Sequence, residues 1–369
     1  MPRYTYYGAF APGLEECIAE VLGERSADMA IPLLLSGAVV FETSLSYDRL
    51  NFFCFNNIFR VISVTTDLRK NGASPETLED FVRDTIRLKA GKEIIADSAG
   101  RAAAEAGFRV IFSLENTPAA LSEGLRREAE TYISSFSRLK VNRSKPGVEF
   151  WFLLRREGAF FIQRLSRHHS WDKLLHPGEL PPPLAWMLCR LSSPGPGERV
   201  ADPFCGYGAI PAARLRHFPP AEFFASDIDR KVLGIAKGKF NGKQQHCCHF
   251  NCLEAGELSR LIPPASLDSI ITDPPWGVYQ KPAEKNHRAG SRNPDPFPLR
   301  QSPVPGDLYR QSLAVFSGLL KPGAPAVLLC GRGEELTAAA EKNGFTVTRN
   351  IPILLSGRKT AIYTLRSPG

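Results

Sequence analysis

The chain has 369 residues, with 46 Lys and Arg against 38 Asp and Glu, a formal net charge of +8 at pH 7 and 43% hydrophobic residues. This length and apolar fraction suit two or three globular domains, and the longest apolar stretch, residues 31–41, is too short and too interrupted to span a bilayer. The first residues lack the apolar segment of a secretory signal, so the cytoplasm is the expected location. The eight cysteines lack paired CxxC spacing, so neither a disulfide framework nor a zinc ribbon is expected.

The first 66 residues predict a small α/β domain with the β-α-β-β-α-β order of the split βαβ pattern. Strands are predicted at residues 4–10, 30–35, 38–42 and 58–66, and helices at about 13–22 and 46–53. No catalytic constellation falls in this domain.

A second α/β domain is predicted from residue 67 to residue 169. Its predicted elements are helices at 75–88, 100–106 and about 118–136, a strand at 108–113, and a hairpin of strands 148–154 and 159–165. Residues 138–167 hold eight basic side chains against two acidic ones, a net charge of +6. Such an edge favours a polyanionic partner, although a solvated strand-and-loop face would have the same composition.

The helix pair, the strand at 108–113 followed by Glu115-Asn116, and the hairpin followed by Arg164-Leu165-Ser166-Arg167-His168 resemble a THUMP domain preceded by its usual ferredoxin-like domain. THUMP modules belong to RNA-modifying enzymes, and in tRNA enzymes they hold the acceptor stem and the 3′ end. The resemblance therefore implies RNA binding at the basic edge. The candidate residues are Arg143, Lys145, Arg155, Arg156 and Arg167.

Residues 170–192 are predicted to be a linker and a helix, and residues 193–369 alternate strictly between strands and helices. Parallel strands are predicted at 199–202, 222–227, 247–251, 267–272 and 324–330, and an antiparallel pair at 345–355 and 359–365. This alternation is typical of a doubly wound, Rossmann-fold sheet, here seven-stranded and mostly parallel with a terminal antiparallel hairpin. The pattern resembles a class I S-adenosylmethionine-dependent methyltransferase.

The stretch from Asp202 to Pro211 ends the first of these strands and enters a helix, as a cofactor-binding loop does. Gly206 and Gly208 would allow the backbone to pass close to a ligand. A dinucleotide-binding protein uses the same device, but the lead-in Asp202-Pro203-Phe204 places a carboxylate beside the loop. That charge repels a pyrophosphate and attracts the ammonium and sulfonium groups of S-adenosyl-L-methionine, which is therefore the expected cofactor.

Two further strand ends supply candidate cofactor contacts. Asp227 can accept hydrogen bonds from both ribose hydroxyls, with Asp229 as a rival, and Asn251 can accept one from the adenine amine, where relatives often carry Asp. The cluster His246-Cys247-Cys248-His249 is interpreted as one buried strand with alternating faces, so no metal is expected.

The stretch Asp273-Pro274-Pro275-Trp276 ends the strand predicted next to the cofactor loop, and we call it the DPPW corner. Its prolines cannot donate ladder hydrogen bonds and hold the chain extended. An amino-bearing ring can stack on Trp276 while its N–H groups bond to Asp273 and to the Pro274 carbonyl. The motif matches the (Asp/Asn)-Pro-Pro-aromatic motif of amino-group methyltransferases. All four residues are the candidate catalytic residues, and Asp273 is also a candidate cofactor contact.

The long stretch 278–307 combines basic residues with many prolines. A basic lid over the RNA backbone and a disordered insertion would both give this composition.

The whole chain resembles the THUMP-containing N2-guanine methyltransferases, most closely in layout those that modify the tRNA acceptor stem. The resemblance implies tRNA as the partner and a monomer, with a small activating subunit left open. The residues alone would suit adenine N6 or cytosine N4 equally well. An amino-methyltransferase of rRNA or DNA and a non-catalytic RNA-binding protein are the alternatives. The methylated nucleotide and the number of methyl groups transferred are not given by the sequence.

Overall fold

The computed structural model describes residues 3–66, 72–97, 106–166, 175–240, 242, 246–276 and 305–369. The chain divides into two compact units, Met1–His169 and Ser170–Gly369. Within the described residues, no helix has the length and apolar character that crossing a membrane requires. The same residues contain no cluster of three or more His, Cys, Asp or Glu side chains that could hold a metal ion.

The first unit is built on one mixed sheet with helices packed against it. Its strands are β1 (Tyr4–Ala9), β2 (Ala30–Leu35), β3 (Ala38–Thr43), β4 (Asn57–Thr65), β5 (Phe108–Leu114), β6 (Thr117–Pro118), β7 (Val148–Arg155) and β8 (Gly158–Arg164). Its helices are α1 (Glu15–Arg25), α2 (Tyr47–Leu50), α3 (Pro75–Arg87), α4 (Lys92–Asp97) and α5 (Glu123–Ser137). The strand order is β2-β3-β1-β4-β8-β7-β5-β6, and the predicted β-α-β-β-α-β order of the first 66 residues is confirmed.

Strands from both predicted N-terminal domains belong to this one sheet. The junction is the antiparallel pair β4–β8, in which Val61 lies opposite Ile162. Pairing satisfies the backbone groups that each strand would otherwise expose at a sheet edge. The predicted boundary between residues 66 and 67 therefore marks a change in the sequence pattern, whereas the sheet continues across it. The division of this unit into two domains stays a prediction.

Two helices of the first unit differ from the sequence prediction. Helix α5 begins at Glu123 and not near Pro118, because the Ser122 hydroxyl accepts a hydrogen bond from Leu125 N at 3.3 Å and so caps the helix. Pro118 lies instead in the two-residue strand β6. Helix α4 was not predicted, and the helix predicted at 100–106 falls almost entirely outside the described residues.

The second unit has the predicted doubly wound architecture. Its strands are β9 (Arg199–Asp202), β10 (Glu222–Asp227), β11 (Cys248–Cys252), β12 (Ser269–Thr272), β13 (Pro325–Cys330), β14 (Thr346–Leu355) and β15 (Arg358–Arg366). Its helices are α6 (Pro182–Leu191), α7 (Ala209–His217), α8 (Arg230–Gly238), α9 (Pro305–Leu319) and α10 (Gly333–Lys342), with a 3₁₀ helix at Ala255–Arg260. The strand order is β11-β10-β9-β12-β13-β15-β14; the first five strands are parallel and β15 is antiparallel to both neighbours.

The central strands of this sheet are buried on both faces. Every residue of β12 and of β13 is buried, and Leu313 and Phe316 of α9 pack on one face together with Leu328. Strands buried on both faces read as continuous apolar runs, which is why the sequence pattern predicts them well. The rigid layer fixes where each strand ends, and the ends carry the polar residues of the candidate site.

Candidate active site

The predicted site residues meet at the carboxyl edge of the parallel strands. Asp202 ends β9, Asp227 ends β10, and Asn251 lies one residue before the end of β11. Strands β9 and β12 pair in parallel, so the DPPW corner that follows β12 begins beside Asp202. Ligands of open α/β sheets bind in the crevice along this edge.

The loop between β9 and α7 takes the conformation that its glycines allow. Gly206 has φ of 50° and Gly208 has φ of 84°, both in the left-handed region that favours glycine. A Cβ added at Gly208 would lie 3.1 Å from the Cβ of Ala236, whereas one added at Gly206 would meet no described atom within 4 Å. Gly208 is thus needed for packing against α8, and the backbone at Gly206 faces open space. Pro203 is buried and Phe204 packs against the core behind the sheet.

Asp202 is fully buried, and only one of its carboxylate oxygens has a partner. Oδ1 accepts from the Thr272 hydroxyl at 2.6 Å and from Phe204 N at 3.2 Å, while Oδ2 has no hydrogen-bond partner among the described residues. Burial raises the pKa of the Asp202 carboxyl to about 8, against the opposing effect of these two hydrogen bonds. A buried carboxylate oxygen without a donor is costly, so this position suits a cationic ligand group that donates to it.

Asp227 is engaged by backbone groups on both oxygens. Oδ2 accepts from Gly206 N and Oδ1 from Asp229 N, each at 2.9 Å. Burial is the largest cause of the raised pKa of Asp227. The rival Asp229 has another use, because its carboxylate caps α8 by accepting from Lys231 N and Val232 N. Each oxygen of Asp227 keeps a further lone pair, so the carboxylate can still accept from ligand hydroxyls.

Asn251 lies opposite Ser226 in the β10–β11 pair, and its amide nitrogen donates to the His249 carbonyl at 3.1 Å. This bond directs the amide so that its oxygen is left as an acceptor. Along the same strand Cys248 is buried and His249 is exposed, as expected of residues on opposite faces.

The DPPW corner carries a carboxylate that is already partly engaged. The indole Nε1 of Trp276 donates to Asp273 Oδ1 at 3.1 Å and to the Leu329 carbonyl at 3.3 Å. Burial raises the pKa of Asp273 to about 7, and the bond from Trp276 opposes this. The indole packs against the backbone of Gly331, where an added Cβ would lie 2.9 Å from Trp276 Cε3. One face of the ring is therefore covered by the end of β13, and the residue is only partly buried overall.

The carbonyl groups of the corner have different partners. The Pro275 carbonyl accepts from the Tyr309 hydroxyl at 3.3 Å, and the Trp276 carbonyl accepts from Arg332 Nε at 2.8 Å. Among the described residues no donor reaches the Pro274 carbonyl. Neither Tyr309 nor Arg332 was among the predicted site residues. A tyrosine in a buried helix and an arginine shortly after a strand carry no local signal for these contacts.

Sequence reasoning also missed the packing on Tyr207 of the glycine loop. The rings of His176 and Tyr207 stack with centroids 4.3 Å apart and planes inclined by 13°. Lys239 lies 6.0 Å from the centre of the Tyr207 ring and pairs with Glu179. The segment before α6, read from the sequence as linker, therefore supports the loop.

The predicted RNA-binding residues fall into different environments. Arg156 is 86% exposed at its side chain, and Lys145 is also exposed. Arg143 is half-exposed, but its guanidinium donates to both oxygens of Glu130 and to Glu123. Arg167 lies outside the described residues, as do residues 277–304 and hence nearly all of the stretch 278–307, which was interpreted as a basic lid or a disordered insertion.

Arg155 requires a correction. Only 5% of this residue is exposed, and its guanidinium donates to the Tyr7 hydroxyl at 3.2 Å and to the Ser36 carbonyl at 2.7 Å. A guanidinium enclosed in this way cannot reach a phosphate, so its position argues against a contact with RNA. Its contacts join β7 to the first strands of the same sheet.

Comparison with known proteins finds a family match that falls almost entirely in the second unit. Residues 169–288 match the family model described as UPF0020, RMKL-like, methyltransferase domain. The chain is 32% identical over 142 residues to the tRNA (guanine(6)-N2)-methyltransferase of Thermus thermophilus, covering 37% of this chain and 42% of that protein. It is 26% identical over 185 residues to the tRNA (guanine(10)-N2)-dimethyltransferase of Methanothermobacter thermautotrophicus, covering 45% and 51%. These matches thus span about half of each relative or less.

The fold has a solved counterpart along the whole chain. The crystal structure of TrmN from Thermus thermophilus superposes with a TM-score of 0.70 at 21% identity, covering 99% of both chains. At this identity the likeness establishes the fold and leaves the substrate to be argued from the site.

Proposed function

Because residues 169–288 carry an RMKL-like methyltransferase domain, we propose that the protein transfers a methyl group from S-adenosyl-L-methionine to the exocyclic N2 amine of a guanosine in tRNA. The observation that carries the proposal is the pairing of β9 with β12, which brings the Asp202 carboxyl beside the DPPW corner, with one oxygen that no described donor reaches. The Asp202 carboxyl suits a cationic cofactor, and the DPPW corner suits an amine.

The residues at the strand ends suit this cofactor. Asp202 Oδ2 would accept from the methionine ammonium, and the open backbone at Gly206 leaves room for a ligand. Asp227 would accept from the ribose hydroxyls and Asn251 from the adenine amine. When bound, the cofactor supplies an electrophilic methyl group on a sulfonium centre.

The corner would orient and activate the amine. An amine conjugated with a purine is a poor nucleophile, because its lone pair is delocalised into the ring. Hydrogen bonds from its two N–H groups to Asp273 and to the Pro274 carbonyl would return electron density to nitrogen and aim it. With a pKa of about 7, Asp273 is partly ionised at neutral pH and can also take up the proton that the amine releases. The face of Trp276 not covered by Gly331 would stack on the base.

Guanine N2 and tRNA are assigned through the relatives, since both curated proteins are named as tRNA guanine-N2 enzymes. One of them is named a dimethyltransferase, so the number of methyl groups transferred stays open. Because these relatives are named as tRNA enzymes, a ribosomal RNA or DNA substrate has less support. We expect the enzyme to act as a monomer on the tRNA acceptor stem.

The test is mass spectrometry of nucleosides after the purified protein has been incubated with total tRNA and methyl-labelled cofactor. The proposal predicts label in N2-methylguanosine or N2,N2-dimethylguanosine, and parallel reactions with ribosomal RNA and duplex DNA serve as controls. Label in N6-methyladenosine would show that the corner was assigned the wrong base. No label on any polymer, together with no heat on titration with millimolar cofactor, would leave the non-catalytic RNA-binding alternative.

A further inference from the structure

The DPPW corner lies beyond the end of β12, so its carbonyl groups have no strand to pair with. Two of them are nevertheless bonded by side chains from other elements, Pro275 by Tyr309 of α9 and Trp276 by Arg332. No described donor reaches the Pro274 carbonyl. The corner is therefore secured at its third and fourth carbonyls, and its second carbonyl is open.

Arg332 is itself held in place by a second bond. While Nε donates to the Trp276 carbonyl at 2.8 Å, Nη1 donates to Glu335 Oε1 at 2.7 Å. Arg332 precedes α10 and Glu335 lies in its first turn, so the pair is three residues apart on a rigid element. A guanidinium fixed through two of its nitrogens has a defined plane, and the direction of its bond to the corner is defined with it.

Tyr309 holds the neighbouring carbonyl from inside the core. It is 1% exposed and belongs to the apolar cluster between α9 and the sheet. Burial raises the pKa of its hydroxyl far above the usual value, so the group keeps its proton and remains a donor throughout the physiological range. The Cys330 thiol interacts with the same hydroxyl.

The end of β13 also supports the ring of the corner. The Leu329 carbonyl accepts from Trp276 Nε1, and the backbone of Gly331 lies against the indole. Residues 329–332 thus contact Trp276 at its nitrogen, at its ring face and at its carbonyl. These contacts come from a strand and a helix start more than fifty residues away along the chain.

We propose that Arg332 and Tyr309 are positioning residues for methyl transfer. By bonding to the Trp276 and Pro275 carbonyls they fix the orientation of the corner and leave Asp273 and the Pro274 carbonyl as the acceptors for the target amine. Their hydrogen bonds go to the corner and to Glu335, and none goes to Asp202, Asp227 or Asn251, so we expect their effect to fall on the methyl-transfer step and to spare cofactor binding. This inference rests on the proposed function.

The test compares Arg332→Gln, Arg332→Lys and Tyr309→Phe in the full-length protein. Displacing a reacting group by a fraction of an ångström to an ångström costs up to about 100-fold in rate, so we expect Arg332→Gln to lower kcat about 10- to 100-fold. Losing the single hydroxyl bond in Tyr309→Phe should lower kcat about 3- to 10-fold. Arg332→Lys keeps one donor and should restore part of kcat. The affinity for cofactor, measured by calorimetry, should stay within about twofold of wild type, since the residues that would bind it are untouched.

Arg310→Gln is the matched control. Arg310 pairs with Asp307 across the same three-residue spacing at 3.0 Å, but on the exposed side of α9. We expect this variant to keep both kcat and cofactor affinity. Thermal melting of every variant separates a local displacement from a general loss of fold.

Two outcomes would count against the inference. Unchanged kcat in Arg332→Gln and Tyr309→Phe would overturn it, as would an equal loss of cofactor affinity, which would indicate a general structural role. Should Arg332→Gln fail to fold, Tyr309→Phe decides alone. An inactive wild-type protein would instead overturn the proposed function. Failure of the proposed function and failure of this inference are therefore distinguished by whether the wild-type protein is active.

Discussion

The two central carboxylates of the candidate site, Asp202 and Asp273, differ in how their oxygens are used. Asp202 is fully buried, and no donor of the described residues reaches its Oδ2, although Oδ1 accepts twice. Asp273 is only partly buried and already accepts from the indole of Trp276. Burial raises the pKa of both, to about 8 and about 7.

This difference fits the two ligands that we propose. A ligand with a fixed positive charge can compensate a buried, unpaired oxygen on its own, so no donor from the chain is needed at Asp202. A neutral amine can compensate much less, and at Asp273 the Trp276 donor favours the ionised form before the amine binds. The comparison predicts that changing Asp202 alters cofactor binding and that changing Asp273 alters turnover.

The largest expected effect is that of Asp273→Ala. Removing the acceptor that orients the amine should lower kcat about 100- to 1,000-fold, because a preorganised polar group that acts in the transition state typically contributes this much. Cofactor affinity should stay within a few-fold of wild type. Single-turnover rates with tRNA and calorimetry with the cofactor measure the two quantities. Turnover retained within a few-fold would contradict the assignment of the corner.

Asp273→Asn sharpens this result because it keeps an acceptor oxygen and loses the charge. In the wild type, Asp273 is protonated below its pKa of about 7, so kcat should fall as the pH is lowered through about 7. In Asp273→Asn this acid limb should disappear and a reduced activity should remain. Asp307→Ala, which removes an exposed carboxylate of α9, is the control and should keep the wild-type profile.

The next largest effect is expected at Asp202, in binding. In the free protein its carboxyl has a pKa of about 8, and a bound ammonium would lower that pKa. Binding should therefore release a proton near neutral pH, and affinity should rise as the pH increases from about 6 to about 8. Calorimetry in two buffers that differ in ionisation enthalpy measures the released proton directly.

Asp202→Asn provides the matching variant. It should weaken cofactor binding about 10- to 100-fold, the range of one charge-assisted hydrogen bond, and abolish the proton release. Proton release that persists unchanged in this variant would assign the titration to another group. At saturating cofactor, kcat should fall less in Asp202→Asn than in Asp273→Ala. A larger fall in Asp202→Asn would contradict the different roles that we assign to the two carboxylates.

The sequence predicts the second unit well because its signals are local. The central parallel strands β12 and β13 are buried throughout, and the polar residues that matter end a parallel strand or follow it directly, as Asp202, Asp227 and Asp273 do. Parallel strands of a doubly wound sheet bring these ends to one edge, so their proximity follows from the topology. In this unit a short element escaped, the six-residue 3₁₀ helix Ala255–Arg260, which is too short to show a clear periodicity.

The partners of the corner could not be predicted in the same way. Arg332 lies 56 residues beyond Trp276, and Tyr309 lies 34 residues beyond Pro275. Nothing near either residue indicates its contact, because the contact depends on how α9 and the end of β13 pack around the corner. For Arg155 and Arg156 a local pattern is present but misleading. Adjacent basic residues were given one role, although neighbours at the end of a strand face different sides.

The smallest expected effect follows from that pair of arginines. Replacing the exposed Lys145 and Arg156 by Gln should weaken tRNA binding and reduce the slope of log affinity against log salt concentration by about 1.5, the release expected from two phosphate contacts. Arg155→Met should leave the slope unchanged and lower stability by about 2 kcal/mol, because a buried guanidinium loses its hydrogen bonds. Filter binding over a salt series and chemical denaturation measure the two effects. A changed salt slope in Arg155→Met alone would indicate that RNA contacts the buried residue. An unchanged slope in the Lys145 and Arg156 double variant would indicate that this edge is an ordinary solvated face.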